Sequence, residues 1–269
     1  MGDDAMEATA LAIVIKTREE IAMLREAGRV NALALEAVRR AVRPGVSTAE
    51  LDAIAADVLR THRAEPAFLG YPNPSRRHAD CPYPATITAS INDELVHGIP
   101  NTKRTLQEGD IVSLDCGCVF QGFVGDSAFS IGVGTISEEA QRLLRVTQEA
   151  LWKAIETSRV GHRLGDVSAA IQEHAESHGY NVVREYTGHG VGREMHEDPQ
   201  IPNWGQAGAG VLLRAGMTYA LEPMVMLGEP WVYVKADRWT VATKDGRLCA
   251  HFEHTIAVTD GDPQILTLP

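Results

Sequence analysis

The chain has no apolar run long enough to cross a bilayer as a helix, which takes about 20 consecutive apolar residues. Cysteine is scarce as well. Cys81, Cys116, Cys118 and Cys249 are too few and too irregularly spaced for a disulfide framework. Cys116-Gly117-Cys118 lacks the two-residue gap of a zinc knuckle or redox pair, so buried free thiols are expected. Positive charge is not in excess: 25 Lys and Arg stand against 36 Asp and Glu, a net charge of −11. That sign argues against nucleic acid as the main partner. The opening MGDDAMEATALAIVIK carries acids where a secretory signal would carry basic residues, and its apolar stretch is short. A cytoplasmic protein with no membrane partner is expected, residues 1–12 forming a flexible N-terminus. At 269 residues the chain can bury a sizeable core.

What is present is periodic. Residues 17–41 place Ile21, Leu24, Ala27, Val30, Leu33, Ala34 and Val38 at helical spacing, and Thr17 with Glu20 forms a capping box. Pro44-Gly45 should end this helix. Ser47-Thr-Ala-Glu50 caps a second helix, expected to run to about Arg63. From Ala85 to Val133 the pattern changes to strands (TITASIN, DIVSLDCGCVF, FVGDSAFSIGV). Helices return at 137–158 and 164–179, followed by strands NVVREY, MTYALEPMVM, WVYVKAD and HFEHTIAV. The order helix-helix-strands thus occurs twice. Glu108-Gly-Asp-Ile-Val-Ser-Leu-Asp115 echoes Ala215-Gly-Met-Thr-Tyr-Ala-Leu-Glu222, each a Gly before a strand that ends on a carboxylate. No linker separates the two parts. One domain over 13–269 is expected, with internal halves of about 17–133 and 137–260 and a site between their strands.

The carboxylates carry chemistry. If the hairpin turning near Phe120-Gln121-Gly122 is tight, residues whose numbers sum to 241 should face each other, which sets Asp115 beside Asp126. Two adjacent ionised carboxylates repel unless they share a proton or a cation sits between them; two solvated acids on an exposed face would also give this pattern. Glu222 ends an apolar strand just before Pro223. Glu253 lies on the face of HFEHTIAV opposite Phe252, His254, Ile256 and Val258, which makes His254 a core residue rather than a ligand. Either glutamate alone could be structural. Together, four strand carboxylates and the glycine-flanked His189 form a hard-donor set suited to two divalent first-row ions, whose charge they would balance.

Residues 186–204, YTGHGVGREMHEDPQIPNW, resemble the signature segment of type I methionine aminopeptidases. Other blocks of that family follow the same order along the chain: SINDELVHGIP (90–100), EGDIVSLDCG (108–117), GDSAF (125–129), MTYALEPM (217–224), RWTVATKDG (238–246) and FEHTIAVTD (252–260). The resemblance implies an α+β pita-bread fold, two pseudo-symmetric halves of antiparallel strands backed by helices. It implies removal of the initiator methionine from new polypeptides, with a small second residue preferred. It implies a dinuclear centre of two divalent ions (Co, Mn, Fe, Zn or Ni) that activates a bridging water. Its ligands would be Asp115, Asp126, His189, Glu222 and Glu253, with Asp126 and Glu253 shared between the ions. Glu222 would also shuttle a proton, and His97 and His196 would contact the substrate near the scissile bond. Tyr71, Thr88, Met195 and Trp239 would border the pocket for the substrate methionine. Thr88 stands where the family often has Cys, and Met195 where an aromatic is common.

Several expectations concern the surroundings of this site. The stretch from residue 73 to 89 looks longer than the usual loop. Arg76-Arg77-His78 reads as a solvated loop or as a contact for the ribosome or nascent chain. A monomer is expected. Gly188, Gly190 and Gly192 exclude a regular helix, and on a strand the seven-residue spacing of His189 and His196 would turn them to opposite faces. The rival readings are a proline-cleaving aminopeptidase or dipeptidase of the same fold and a catalytically dead relative that acts as a binding module.

Overall fold

The computed structural model describes residues 13–75 and 78–269. The expected flexible N-terminus and the Arg76-Arg77 pair therefore lie outside the described residues. Helices α1 (Arg18–Ala41) and α2 (Thr48–Thr61) start where their capping boxes predict, at Thr17 and Ser47. In each box the hydroxyl accepts from the third backbone N–H and the Glu reaches back to the cap. Helix α2 stops two residues before the expected end: His62 is its C-cap, and Arg63 takes a positive φ of 59°. Five strands follow: β1 (Glu65–Pro66), β2 (Ile87–Ile91), β3 (Glu94–Val96), β4 (Ile111–Phe120) and β5 (Phe123–Gly132). The second helix pair is α3 (Glu138–Thr157) and α4 (Leu164–Ser177). Ten strands complete the order: β6 (Asn181–Val182), β7 (Thr187–Gly190), β8 (Glu197–Pro202), β9 (Thr218–Leu221), β10 (Met224–Met226), β11 (Val232–Val234), β12 (Val241–Thr243), β13 (Cys249–His251), β14 (Glu253–Ala257) and β15 (Gln264–Ile265).

Nine strands form one antiparallel sheet in the order β1-β4-β5-β14-β9-β7-β8, with β2 on β4 and β15 on β14. Two three-stranded sheets, β13-β10-β6 and β11-β12-β3, flank it. The helices cover the large sheet through their apolar stripes: Ala27, Val30, Ala34 and Val38 of α1, and Leu143, Val146, Ala150 and Ala154 of α3, are buried. This is the expected α+β arrangement of antiparallel strands backed by two helix pairs.

Four sequence expectations need correction. The β4–β5 turn has two residues, Gln121 and Gly122, both with positive φ (51° and 79°), the twist that a tight hairpin requires. Facing residues therefore sum to 243: Asp115 opposes Ala128 and Asp126 opposes Gly117. The two aspartates are diagonal neighbours on one face, not a direct pair. Residues 87–89 belong to strand β2, so the loop before it is shorter than 73–89. NVVREY is strand only at Asn181–Val182, and WVYVKAD only at Val232–Val234. Finally, MTYALEPMVM and HFEHTIAV are each broken. Pro223 has no N–H to give a ladder, and the chain passes there from β9 in the large sheet to β10 in a small one. Phe252 divides β13 from β14 at the same level, and its N–H donates to Pro223 O at 3.3 Å.

Contact between α1 and β5 sets the position of the aspartate strand. A Cβ on Gly125 would lie 2.5 Å from the backbone of Ala27, closer than any real contact. Gly125→Ala should therefore lower stability by about 1–3 kcal/mol through overpacking, read as a fall of several degrees in Tm; an unchanged Tm would show that this contact does not fix the helix.

Candidate active site

Five side chains converge from five neighbouring strands. In the order β4-β5-β14-β9-β7 these are Asp115, Asp126, Glu253, Glu222 (the residue after β9) and His189. Asp115 and Glu253 oppose Ala128 from its two sides, and Asp126 lies two residues along the same strand. Alternation therefore places all three carboxyls on one face, over a methyl group small enough to leave them room. Glycines on either side of His189 bring the next strands close: a Cβ at Gly188 would lie 2.5 Å from Ala220 O, and one at Gly190 would lie 2.3 Å from Asp198 O. His189 Nε2 ends 3.6 Å from Asp126 Oδ2 and 3.5 Å from Glu222 Oε1. Its Nδ1 lies 3.0 Å from Gly190 O, and a carbonyl only accepts, so Nδ1 carries the proton and Nε2 presents a lone pair to the carboxylates.

The oxygens are short of partners. Asp115 Oδ1, Asp126 Oδ1 and Glu253 Oε1 are buried and have no hydrogen bond among the described residues. Asp126, His189 and Glu253 each bring a donor atom within 4.8 Å of the others. Burial raises Asp126 to about 7 and pushes Asp115, Glu222 and Glu253 well above the usual carboxylate range, with the charges of their carboxyl neighbours adding to the effect in these three. Burial acts the other way on His189, lowering it to about 3. A divalent cation is the partner that satisfies orphaned oxygens, mutual repulsion and an imidazole lone pair at once.

The remaining predicted residues border this cluster. His196 does not lie on a face opposite His189. The segment between β7 and β8 folds back, and the two rings meet at 4.2 Å between centroids, tilted by 48°. Tyr71 OH meets His196 Nδ1 at 2.6 Å. His97 follows β3 with a positive φ of 61°, its ring edge-on to Tyr186 and Trp239. Thr88 is directly opposite Asp115 across β2 and β4. Met195 is buried with Tyr71 and Phe68, and Trp239 with Tyr83 and the same Phe68 and Tyr71. His254 is no ligand: its Nδ1 bonds Thr267 Oγ1 at 2.8 Å. Lys16 and Glu197 form a buried ion pair of 2.6 Å. Glu197 also accepts from Arg193 N, which ties down the loop carrying Met195 and His196.

Three site residues were not foreseen. Phe68 and Tyr83 complete the aromatic wall; Tyr83 donates to Ile87 O or Gly98 O and stands 5.1 Å edge-on from Trp239. His251 is 2% exposed, and its Nε2, unpartnered among the described residues, faces Glu222 Oε2 at 3.9 Å and Glu253 Oε2 at 4.0 Å. Its alternation with Glu253 across Phe252 was a signal for it, masked by the break between β13 and β14.

The shifts set a pH dependence for protein stripped of metal. A carboxyl raised above its unfolded value of about 4 stabilises the fold at low pH, and this is lost as pH rises through its folded pKa. The depressed histidines oppose this below pH 6.5 and are neutral in both states above it. Chelator-treated protein should thus lose thermal stability between about pH 6.5 and 8, where Asp126 titrates, and added Co or Mn should restore it. A melting temperature flat across this window, with or without metal, would contradict the assignment.

The comparisons with known proteins agree with this geometry. The pattern of metallopeptidase family M24 matches residues 22–260. Over 256 residues the chain is 47% identical to the methionine aminopeptidase of Clostridium acetobutylicum, covering 95% of this chain and 99% of that protein. It is 46% identical to methionine aminopeptidase 1 of Bacillus subtilis over 255 residues, with coverage of 95% and 99%. The crystal structure of a Thermotoga maritima methionine aminopeptidase superposes with a TM-score of 0.91 at 48% identity, covering 96% of this chain and all of that one. A Xaa-Pro dipeptidase from Bacillus anthracis shares the fold at a TM-score of 0.73 and 23% identity, this chain spanning 61% of its length. With its strand-borne carboxylates, its buried imidazole and a family match over most of its length, the chain belongs to metallopeptidase family M24, among relatives that are methionine aminopeptidases.

Proposed function

We propose that the chain is a cytoplasmic methionine aminopeptidase that hydrolyses the peptide bond after the N-terminal Met of polypeptides, preferring a small second residue. The observation that carries this is the convergence of five donors, three with orphaned oxygens, beside an aromatic slot. Asp115, Asp126, His189, Glu222 and Glu253 would hold two divalent ions. Such ions supply Lewis acidity to the scissile carbonyl and lower the pKa of water.

The side chains do the rest. Glu222 accepts a proton from water and returns it to the leaving amine, a transfer suited to a carboxyl whose affinity for protons burial has already raised. The 2.6 Å contact lets the Tyr71 hydroxyl donate to His196 Nδ1, the tautomer that leaves Nε2–H to donate to the carbonyl oxygen as it gains charge. His97 hydrogen-bonds the scissile amide from the other wall. His251 faces the carboxyls of Glu222 and Glu253 at 3.9 and 4.0 Å, beyond direct hydrogen-bond reach, and lines the back of the cluster. The slot of Phe68, Tyr71, Tyr83, Met195 and Trp239 with Thr88 takes an unbranched thioether, a flexible and polarisable side chain that packs well on aromatic edges.

Substrate choice tests this reading. Met should be released from Met-Ala-Ser far faster than from Met-Leu-Ser, and nothing from Xaa-Pro peptides, only with Co or Mn present; cleavage before proline or metal-independent release would overturn it. The two histidines of the signature segment should separate. His189→Ala is expected to lose bound metal, whereas His196→Ala should keep it and lose about 10²–10³ in kcat, the usual effect of removing one donor to a developing oxyanion. Equal metal loss in both variants would show that they share one role.

A further inference from the structure

Among the described residues outside the active site, one cluster of donors remains unexplained by the reaction. Glu149 lies on α3, His174 in the last turn of α4, and His178 at that helix's C-cap. The spacing of four residues puts both imidazoles on one helical face, their ring centroids 4.6 Å apart. Glu149 Oε2 reaches across from α3 to 3.1 Å from His174 Nε2. One donor atom from each of the three residues falls within 4.8 Å of the others.

The hydrogen bonds fix which atoms are free. His178 Nδ1 lies 2.8 Å from His174 O, so it carries the proton and Nε2 holds the lone pair. This is the arrangement usual for a ligating histidine, whose second nitrogen donates to a carbonyl and sets the tautomer. The nearby acid Glu176 is engaged by Arg184 and Gln172 and does not compete. Donors about 2.1 Å from a common ion, at angles between 90° and tetrahedral, stand roughly 3.0–3.4 Å apart. The Glu149–His174 separation of 3.1 Å falls inside that range, and His178, within 4.8 Å of both, would close in by a side-chain adjustment as the ion replaces the shared proton. All three side chains are half-buried, which leaves room for water in the remaining positions.

We infer that Glu149, His174 and His178 form a second, peripheral metal site that clamps α3 to α4. Two imidazoles and one carboxylate select a borderline ion, Zn, Ni, Cu or Co, over Mg or Ca. The inference goes beyond the proposed activity and does not rest on it. It has a consequence for metal counting: a chain loaded in excess zinc should hold one ion more than its reaction requires.

The experiment is a difference measurement on the intact protein. Wild type and the double variant His174→Ala/His178→Ala are dialysed to equilibrium against graded ZnCl₂, and bound zinc is counted per chain. Wild type should bind one more zinc than the variant at saturation, whatever number the active site takes, and zinc should raise the Tm of wild type by more than that of the variant. Glu149→Gln, a near-isosteric change on a half-buried acid outside the apolar core, should weaken that extra ion at least tenfold. Peptidase activity in Mn should be equal in all three. Equal zinc content in wild type and double variant at every concentration would overturn the site, as would a Glu149→Gln isotherm identical to wild type.

Discussion

Charge compensation at the centre of the large sheet governs this structure. Four carboxyls are held side by side on neighbouring strands, with Asp115, Asp126 and Glu253 buried; burial drives the proton affinity of all four up, and repulsion adds to it at Asp115, Glu222 and Glu253. A buried carboxylate left uncompensated is among the most costly groups a fold can contain. The surrounding architecture arranges for compensation rather than avoiding the cost. Ala128 leaves space between the carboxyls, and close backbone approach at Gly188 and Gly190 brings an imidazole to them with its lone pair inward. The helices behind the sheet keep water from the other face. In the proposed reaction, metal binding, protein stability and catalysis would thus act through the same few oxygens.

The walls around that centre come from segments of different kinds. His97 sits in a left-handed backbone conformation at a strand end, and His196 on a loop held by the Lys16–Glu197 pair and by Tyr71. A flexible loop alone would place a proton donor poorly. Here the position of His196, the proposed donor, is fixed through the buried Lys16 on one side and the Tyr71 hydroxyl on the other. The aromatic slot is likewise shared: Phe68 belongs both to the cluster with Met195 and to the cluster with Trp239.

Much of this was legible in the residues, for identifiable reasons. Capping boxes at Thr17 and Ser47 mark the helix starts to the residue, because they are local and stoichiometric. Asp115 and Asp126 were placed on one face although the register was wrong by two residues: across a tight hairpin, any odd separation in number keeps two residues on the same side, so parity survives an error of two. What was not legible depends on contacts distant in sequence. The strand breaks at Pro223 and Phe252 coincide only because two segments lie side by side, and His251 became visible as a site residue only once that break was known. The folding back of His196 onto His189 is a loop conformation, which periodicity does not report.

The paired breaks also bear on how the enzyme can move. Both chains that pass from the large sheet to the small one do so within a residue of Glu222 or Glu253, and the N–H of Phe252 ties the crossings together. No hinge at this junction is free of the clustered carboxyls, so widening the cleft there would pull its own donors apart. Under the proposed activity, the second residue of a peptide would then meet walls of fixed width, and exclusion of bulky residues would be a matter of rigid clearance rather than of a lid that closes on the right substrate.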